Sequence, residues 1–293
     1  MSQDFPPALY VVATPIGNLA DLTVRAAAIL ARADQIYCED TRTTRRLLDA
    51  YGISGTLARY DDHSDDAVRA QIVTAVSEGA RIALVSDAGT PLISDPGFKL
   101  VRDVLAAGER VVPIPGPSAA IAAASVSGIA TDAILFAGFL SSKAGQRRSR
   151  FEALKSVPAS IVFYEAPQRL GSFLSDAADV FGAERHAVVL RELTKLHETV
   201  AQGTLAALAE TFTASSPKGE IVVIIGADDR SAGEVTDDII RAALVAPLAE
   251  QGVARASKQV AKTLGVSRSR VYDLALAVSR ADDAPAPGTS TDE

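Results

Sequence analysis

Leu84-Val85-Ser86-Asp87-Ala88-Gly89-Thr90-Pro91-Leu92-Ile93-Ser94-Asp95-Pro96-Gly97 is the stretch on which the fold turns. The apolar run Arg81 to Val85 before it reads as a buried strand, and Asp95-Pro96 reads as an N-cap followed by proline at the first helical position. Strand, loop and helix start make up the unit at whose strand ends open parallel sheets bind ligands. Small residues let a ligand approach this backbone, Pro91 and Pro96 stiffen it, and Asp87 and Asp95 offer carboxylates to a polar or cationic group. The loop has neither GxGxxG nor Gly-Lys-Ser/Thr, so a pyrophosphate cofactor is not the first expectation.

The same alternation extends on both sides. Leu9 to Ala13, Gln35 to Cys38, Leu57 to Tyr60 and Arg110 to Pro113 read as further short strands, with helices after Thr23 and over Thr43–Asp49, Ala67–Ser77 and up to Ala107. This pattern predicts a parallel sheet with right-handed crossovers. Pro113 to Ser118 interrupts it, and the small-residue helix Ala119 to Ser127 marks a boundary or a cleft wall. A second unit then follows, with strands at 133–137, 160–164, 186–191, 199–201 and 220–225 and helices near 146–156 and 168–179. Adjacent strands around Glu192 to Gly203, with no helix between them, predict a mixed sheet.

Past Gly226 the composition changes. Val235 to Glu250 reads as one helix, and Ser257 to Tyr272 has the layout of a helix-turn-helix. Ala261 allows close contact, Gly265 supplies the turn, Ser267 caps and Val271 packs back. From Gln251 to Arg280 six Lys/Arg face the single acid Asp273, a net of +5 (6 − 1), whereas the whole chain carries −7. A uniformly basic nucleic-acid binder is therefore excluded, and any polyanion must meet local patches. The acidic, Pro/Gly/Ser/Thr-rich end from Ala281 is expected to be disordered.

The 293 residues, 48% hydrophobic and 22% charged, suffice for about two domains with a sizeable core. No apolar run is long enough to span a membrane and no basic-then-apolar leader opens the chain, so a cytoplasmic location is expected. The one cysteine, Cys38, leaves no internal disulfide, and with three histidines no metal site is expected.

Four Gly/Pro loops fall at predicted strand ends: Pro15-Ile16-Gly17-Asn18, Asp87 to Pro91, Pro115-Gly116-Pro117-Ser118 and Tyr164-Glu165-Ala166-Pro167. One such turn would be structural; four at one sheet edge would build a narrow, stiff cleft for a compact ligand. Glu39-Asp40-Thr41-Arg42 sits at a fifth strand end. Its acids could orient or deprotonate a hydroxyl, with Arg42, Arg45 and Arg46 holding phosphates, or they could simply cap a helix with a solvated basic face. Lys143, Arg147, Arg148 and Arg150 form a basic cluster that is either a polyanion footprint or a solvated face. Arg191-Glu192-Leu193-Thr194-Lys195 puts charge at a strand end, as a cleft wall or as structural ion pairs.

Taken together with Ala13 to Leu19, Phe163-Tyr164-Glu165 and Gly219-Glu220, these motifs closely resemble the tetrapyrrole-methylase superfamily of S-adenosylmethionine-dependent methyltransferases. Within it they resemble the RsmI-type branch, the bacterial 16S rRNA cytidine 2'-O-methyltransferases, over Leu9 to Ala227 and into the tail. Relatives acting on tetrapyrroles carry a glycine-rich first loop, where this chain has Thr14-Pro15-Ile16-Gly17-Asn18. The resemblance implies an α/β, two-domain tetrapyrrole-methylase-like fold, the class III methyltransferase fold, with a small all-α helix-turn-helix tail. The expected divisions are 1–117, 118–230, 231–280 and 281–293.

The resemblance also implies a homodimer, S-adenosylmethionine as cofactor, 16S rRNA in the small ribosomal subunit as partner, and 2'-O-methylation of a decoding-centre cytidine. Carried over by motif, Pro15, Gly17, Asn18, Asp87, Ala88, Gly89, Thr90, Pro91, Pro115, Gly116, Pro117, Ser118, Tyr164 and Glu165 hold the cofactor. Asp40 is the first candidate for the base, aided by Arg42 and neighboured by Glu39. Arg45, Arg46, Lys143, Arg147, Arg148, Arg150, Lys258, Arg268 and Arg270 are the candidate RNA contacts. Two other activities fit the sequence: methylation of a tetrapyrrole or other small molecule by the same fold, and a ligand-sensing DNA-binding regulator that reads duplex through Arg268 and Arg270.

Overall fold

The computed structural model describes residues 5–61, 66–227, 236–264 and 266–282. Two units, residues 1–227 and 228–293, divide the chain. In the first, a five-stranded sheet is built from β1 (Ala8–Val12), β2 (Gln35–Cys38), β3 (Leu57–Arg59), β4 (Arg81–Val85) and β5 (Val111–Ile114) in the order β3-β2-β4-β1-β5. Every pairing in it is parallel, as the strand–helix alternation predicts. Each crossover carries a helix: α1 (Val24–Leu30), α2 (Thr41–Ala50), α3 (Asp66–Ser77) and α4 (Phe98–Ala106).

Both faces of this sheet are covered, so a central strand such as β1 is apolar on every residue rather than on alternate ones. In β1, Ala8, Tyr10 and Val12 pack with Ala26, Ile29 and Leu48 on one face, while Leu9 packs with Ile72, Leu100 and Val104 on the other. In the β3–β2–β4–β1–β5 order, the connections leaving β4 and β1 run to opposite sides of the sheet. The loops following those two strands are therefore where a crevice opens.

Helix ends are set by local chemistry. The Thr23 hydroxyl accepts from the Ala26 N–H at 3.1 Å and starts α1; Asp40 accepts from the Arg42 N–H at 2.8 Å and starts α2. The expected Asp95-Pro96 helix start is corrected. Gly97, at φ 129°, is the N-cap of α4 with no side-chain bond, and the helix begins at Phe98. Two further left-handed residues, Leu92 (φ 73°) and Ser94 (φ 67°), twist the chain before it, so the loop is longer than the Pro-based reading supposed.

After α5 (Ala119–Val126) comes a second sheet of β6 (Ile134–Phe139), β7 (Ser160–Glu165), β8 (His186–Arg191), β9 (Thr199–Thr204) and β10 (Ile221–Ile225), ordered β6-β7-β10-β8-β9. It is mixed as expected: β6 and β7 run parallel and the other pairs antiparallel. Helices α6 (Ala144–Leu154), α7 (Leu170–Phe181) and α8 (Leu205–Ala214) accompany it. Sequence reading omitted α8, whose alanine-rich pattern lacks strong periodicity; its start is fixed by Thr204 accepting from the Ala207 N–H at 3.2 Å. One core here is aromatic, with Phe151 edge-on to Phe163, Phe173 and Phe181 at centroid distances of 5.7, 5.1 and 5.3 Å.

The second unit contains α9 (Asp237–Glu250), α10 (Val253–Leu264) and α11 (Arg268–Asp282), closed over Ile240, Leu244, Val260 and Val271. Ala261 and Val271 are buried, and Ser267 accepts from the Arg270 N–H at 3.3 Å, as the helix-turn-helix layout requires. The turn residue Gly265 and residues 283–293 lie outside the described residues, while α11 runs two residues into the end expected to be disordered from Ala281. Among the described residues no helix is long and apolar enough to cross a membrane.

Candidate functional site

The loops after β1, β4 and β5 are knitted into one edge. Thr14 and Gly89 exchange backbone hydrogen bonds, Thr14 N–H to Gly89 O at 2.9 Å and Gly89 N–H to Thr14 O at 3.1 Å. Thr14 also donates its hydroxyl to Ser86 O at 3.2 Å, and Thr90 donates to Pro117 O at 3.2 Å. Gly116 lies so close to Ala13 that an added Cβ would meet the Ala13 Cβ at 2.9 Å, which is why this position takes glycine. Small residues in these loops thus serve loop-to-loop packing as well as access.

Facing this edge are the ends of β6, β7 and β8 and the start of β10, which is antiparallel and so begins at the same side. Between them lies a cavity of about 350 Å³, within the size range of small-molecule sites. Its apolar wall includes Ile16, Ile93, Phe139, Leu190, Leu193 and Val222; Asp87, Asp95, Glu165 and Glu220 supply carboxylates. Tyr164 stacks edge-on with Phe139 at 5.5 Å and accepts the Ala120 N–H at 3.1 Å, tying α5 to β7.

The carboxylates differ in electrostatics. Asp95 is half-buried, and burial first, then repulsion from Asp87, raises its pKa to about 6 against the lowering effect of Ser86. Glu165 is 2% exposed and burial pushes its pKa up, while the Ala166 N–H at 2.7 Å and the Arg169 guanidinium pull the other way. Its Oε1 takes those bonds; its Oε2 is buried without a hydrogen-bond partner. Burial also pushes the Tyr164 phenol up. Lys195 sits between Glu192 at 2.8 Å and Glu220 at 3.0 Å; burial lowers its pKa, and those two partners outweigh it to give a net rise.

Of the residues expected to hold a cofactor, Asp87, Ala88, Gly89, Thr90, Ser118, Tyr164 and Glu165 line the cavity. Pro91, Pro115, Gly116 and Pro117 lie outside that lining and shape the loops behind it. Pro15, Gly17 and Asn18 also stand off it: the first loop contributes Ile16, while Gly17 faces the Lys195 side chain and Asn18 caps a short turn at Ala20. Ile93, Ser94, Ala119, Phe139 and the Gly219–Val222 strand start also line it. None is assigned to the cofactor from sequence, although Ile93 and Ser94 fall in the main loop, Ala119 opens the helix read as a boundary or cleft wall, and Gly219-Glu220 is among the family motifs. Only antiparallel pairing brings that strand start to this edge, a feature no local pattern encodes. Asp95 reads in sequence both as a cap and as a carboxylate for a polar or cationic group; it lines the cavity and does not cap.

Asp40 and Arg42 are not in the cavity lining. Asp40 binds Arg42 through Nε at 3.0 Å and Nη2 at 2.6 Å, and these hydrogen bonds hold its pKa down at about 2. Its backbone N–H donates to Asp87 Oδ1 at 3.1 Å. Glu39 is half-buried at the end of β2, and Arg45 and Arg46 are exposed on α2.

The basic cluster of α6 is corrected. Arg147 is 3% exposed and paired with buried Asp176 of α7, which removes it from any polyanion surface. Arg148 is also tied down, bonding Asp176 at 2.6 Å and Asp179 at 3.0 Å; Lys143 and Arg150 remain exposed. In the second unit Lys258 and Arg268 are exposed, while Arg270 pairs with Asp237 at 2.7 Å. Among the described residues no group of three or more His, Cys, Asp or Glu side chains gathers as a metal site would require.

Residues 8–209 match the family of Tetrapyrrole (Corrin/Porphyrin) Methylases. Curated relatives named Ribosomal RNA small subunit methyltransferase I include one from Mesorhizobium japonicum, 49% identical over 91% of this chain and 90% of its own. Another, from Pseudomonas aeruginosa, is 43% identical over 92% of this chain and 96% of its own. Among solved structures, diphthine synthase aligns with a TM-score of 0.59 at 13% identity, covering 75% of this chain and 90% of its own. A uroporphyrin-III C-methyltransferase from Thermus thermophilus, complexed with S-adenosyl homocysteine, aligns at 0.54 with 17% identity, covering 75% and 97%. The two-sheet fold, the loop-lined cavity and these matches agree: the chain belongs to the tetrapyrrole methylase family, within its ribosomal RNA small subunit methyltransferase I group.

Proposed function

We propose that this chain transfers a methyl group from S-adenosylmethionine to ribosomal RNA of the small subunit, at the 2'-oxygen of a cytidine ribose in the decoding centre. The observation that carries the RNA reading over a small-molecule one is the extent of the likeness. The uroporphyrin-III enzyme leaves a quarter of this chain without a counterpart, whereas the rRNA-methyltransferase relatives run along about nine-tenths of both chains.

The residues present fit the cofactor. Carboxylates at Asp87 and Glu165 favour a cation in a site with apolar walls, and the unpartnered Glu165 Oε2 is an acceptor suited to a donor group. When bound, S-adenosylmethionine supplies a methyl carbon on positively charged sulfur. The chain itself has to orient a ribose hydroxyl in line with that carbon, exclude competing water and accept one proton. The interlocked loops around Thr14, Gly89 and Thr90 provide the rigidity such alignment needs. Asp40 contributes by position, its N–H fixing the Asp87 carboxylate.

RNA contact is assigned to the exposed cations. Reversing Lys143 and Arg150 together is expected to weaken RNA binding and to reduce the salt slope of log affinity by about 2, roughly 1 for each phosphate left without its cation. Filter binding across a salt series reads this; an unchanged slope returns both residues to the solvated face. The function itself is tested by methyl transfer from labelled S-adenosylmethionine to small subunits purified from cells lacking the protein, with the modified nucleotide mapped. Label on one ribose 2'-oxygen is expected. Label on a base, or none on either subunits or free rRNA, refutes the reading, and in the latter case a tetrapyrrole panel comes next. A homodimer and a cytoplasmic location accompany this reading; sedimentation of the full chain reads the first.

A further inference from the structure

We infer that Asp95 is the group that takes the proton from the ribose hydroxyl during transfer, an assignment that rests on the methyltransferase reading above. Its place in the fold is unusual. Asp95-Pro96 reads in sequence as a helix start, yet α4 begins at Phe98 without any side-chain cap and Asp95 lines the cavity instead. Getting it there strains the loop. Leu92 and Ser94 both hold left-handed φ, at 73° and 67°, where a Cβ crowds the following carbonyl oxygen. Such strain persists where surrounding structure enforces it, and it clusters at functional sites.

The strained turn lies beside β6. Gly138 bulges there at φ 65°, and Ser94 Oγ lies 3.1 Å from where a Cβ on that glycine would stand. Ser94 thus seats the strained turn against the bulge, and the next residue faces the ligand space.

The other acids of this cavity are held by a cation or a backbone N–H, whereas Asp95 bonds the Ser86 hydroxyl. Glu165 is engaged by Arg169 and the Ala166 N–H, Glu220 by Lys195, and Asp87 by the Asp40 N–H. Asp40 lies off the cavity in its pair with Arg42, and a carboxyl group titrating near 2 has little drive to accept a hydroxyl proton. The groups acting on Asp95 are Ser86 and Asp87 behind it, with Tyr164 across the cavity. Their balance leaves it titrating at about 6, ionised at neutral pH and far more basic than Asp40.

In the step proposed, Asp95 accepts the hydroxyl proton as the ribose oxygen bonds to the methyl carbon. The pair of electrons from the breaking carbon–sulfur bond leaves with sulfur, which becomes a neutral thioether, and Asp95 afterwards passes the proton to water. Charge balances: one cation and one hydroxyl give one neutral thioether, one methyl ether and one proton.

Three readouts on the full chain test this. First, carboxyl NMR titration of ligand-free protein should show an aspartate titrating near 6 that is missing in Asp95→Asn. Second, calorimetry with S-adenosylmethionine should give affinities within about threefold for wild type and Asp95→Asn. Third, single-turnover methyl transfer to small subunits should fall about a hundredfold or more in Asp95→Asn, within the 10²–10⁴ range of a lost proton acceptor, with partial recovery in Asp95→Glu. The wild-type rate should rise through an apparent pKa near 6, a limb that Asp95→Asn loses. Asp95→Asn retaining wild-type rate with the limb intact overturns the assignment, as does loss of cofactor binding, which would make Asp95 a holding residue. Wild-type protein that methylates no subunit refutes the broader reading instead, so the two failures are distinct.

Discussion

Replacing Asp176 by alanine is expected to cost about 3–5 kcal/mol of stability, because it leaves the Arg147 guanidinium buried without its counter-charge. The two side chains are 4% and 7% exposed, the Arg147 Nε–Oδ2 distance is 2.8 Å, and Arg148 reaches the other oxygen at 2.6 Å. These bonds join α6 to α7 behind the aromatic core, so the loss should appear as a lower urea midpoint and a Tm lower by several degrees. Removing both charges with apolar residues of similar volume, Arg147→Met with Asp176→Leu, should restore much of it, since the paired charges contribute little net once desolvation is counted. A loss under about 1 kcal/mol in Asp176→Ala would show that water reaches this pair. The same experiment separates structure from RNA contact: Arg147 variants should change stability and leave the salt slope of RNA binding unaltered.

Gly219→Val is expected to damage both stability and ligand affinity. Gly219 holds φ 99°, and an added Cβ would fall 2.4 Å from Glu192 Cδ and 2.5 Å from its Oε1. That oxygen is not free to move away, since it accepts from Lys195 Nζ at 2.8 Å and from the Glu220 N–H at 2.9 Å. Lys195 in turn holds the Glu192 carboxyl below its usual range. Backbone strain alone suggests a cost of about 1–2 kcal/mol, and displacement of the ion-paired knot adds to it. Because Gly219 to Val222 line the cavity, S-adenosylmethionine affinity should drop at least tenfold, as read by calorimetry. Wild-type affinity in a folded Gly219→Val would show that this strand start is no part of the binding wall. Gly219→Ala should show the same effects at smaller size.

The sequence by itself determined the parallel first sheet, the mixed second sheet and the place of the main loop. Those properties follow from local terms: apolar runs of strand length, Thr and Asp caps, and Gly or Pro where the chain turns. It also marked Asp87 to Thr90, Ser118, Tyr164 and Glu165, which line one cavity because strand ends of a sheet share an edge.

Tertiary structure decided the rest. Arg147 and Lys143 look alike in sequence, members of one basic run, yet α6 turns Arg147 inward onto Asp176 while Lys143, at the N-cap before the helix, stays exposed. Asp40 and Asp95 are both acids beside helix starts. One caps and pairs with Arg42, while the other is carried into the cavity by left-handed turns seated on the Gly138 bulge. The β10 wall reaches the site only through pairing with strands far earlier in the chain. Periodicity reports which residues are apolar and where the chain turns. Burial of a charge, the basicity of a carboxylate and the meeting of distant loops depend on which atoms pack around them, and only the folded chain fixes that.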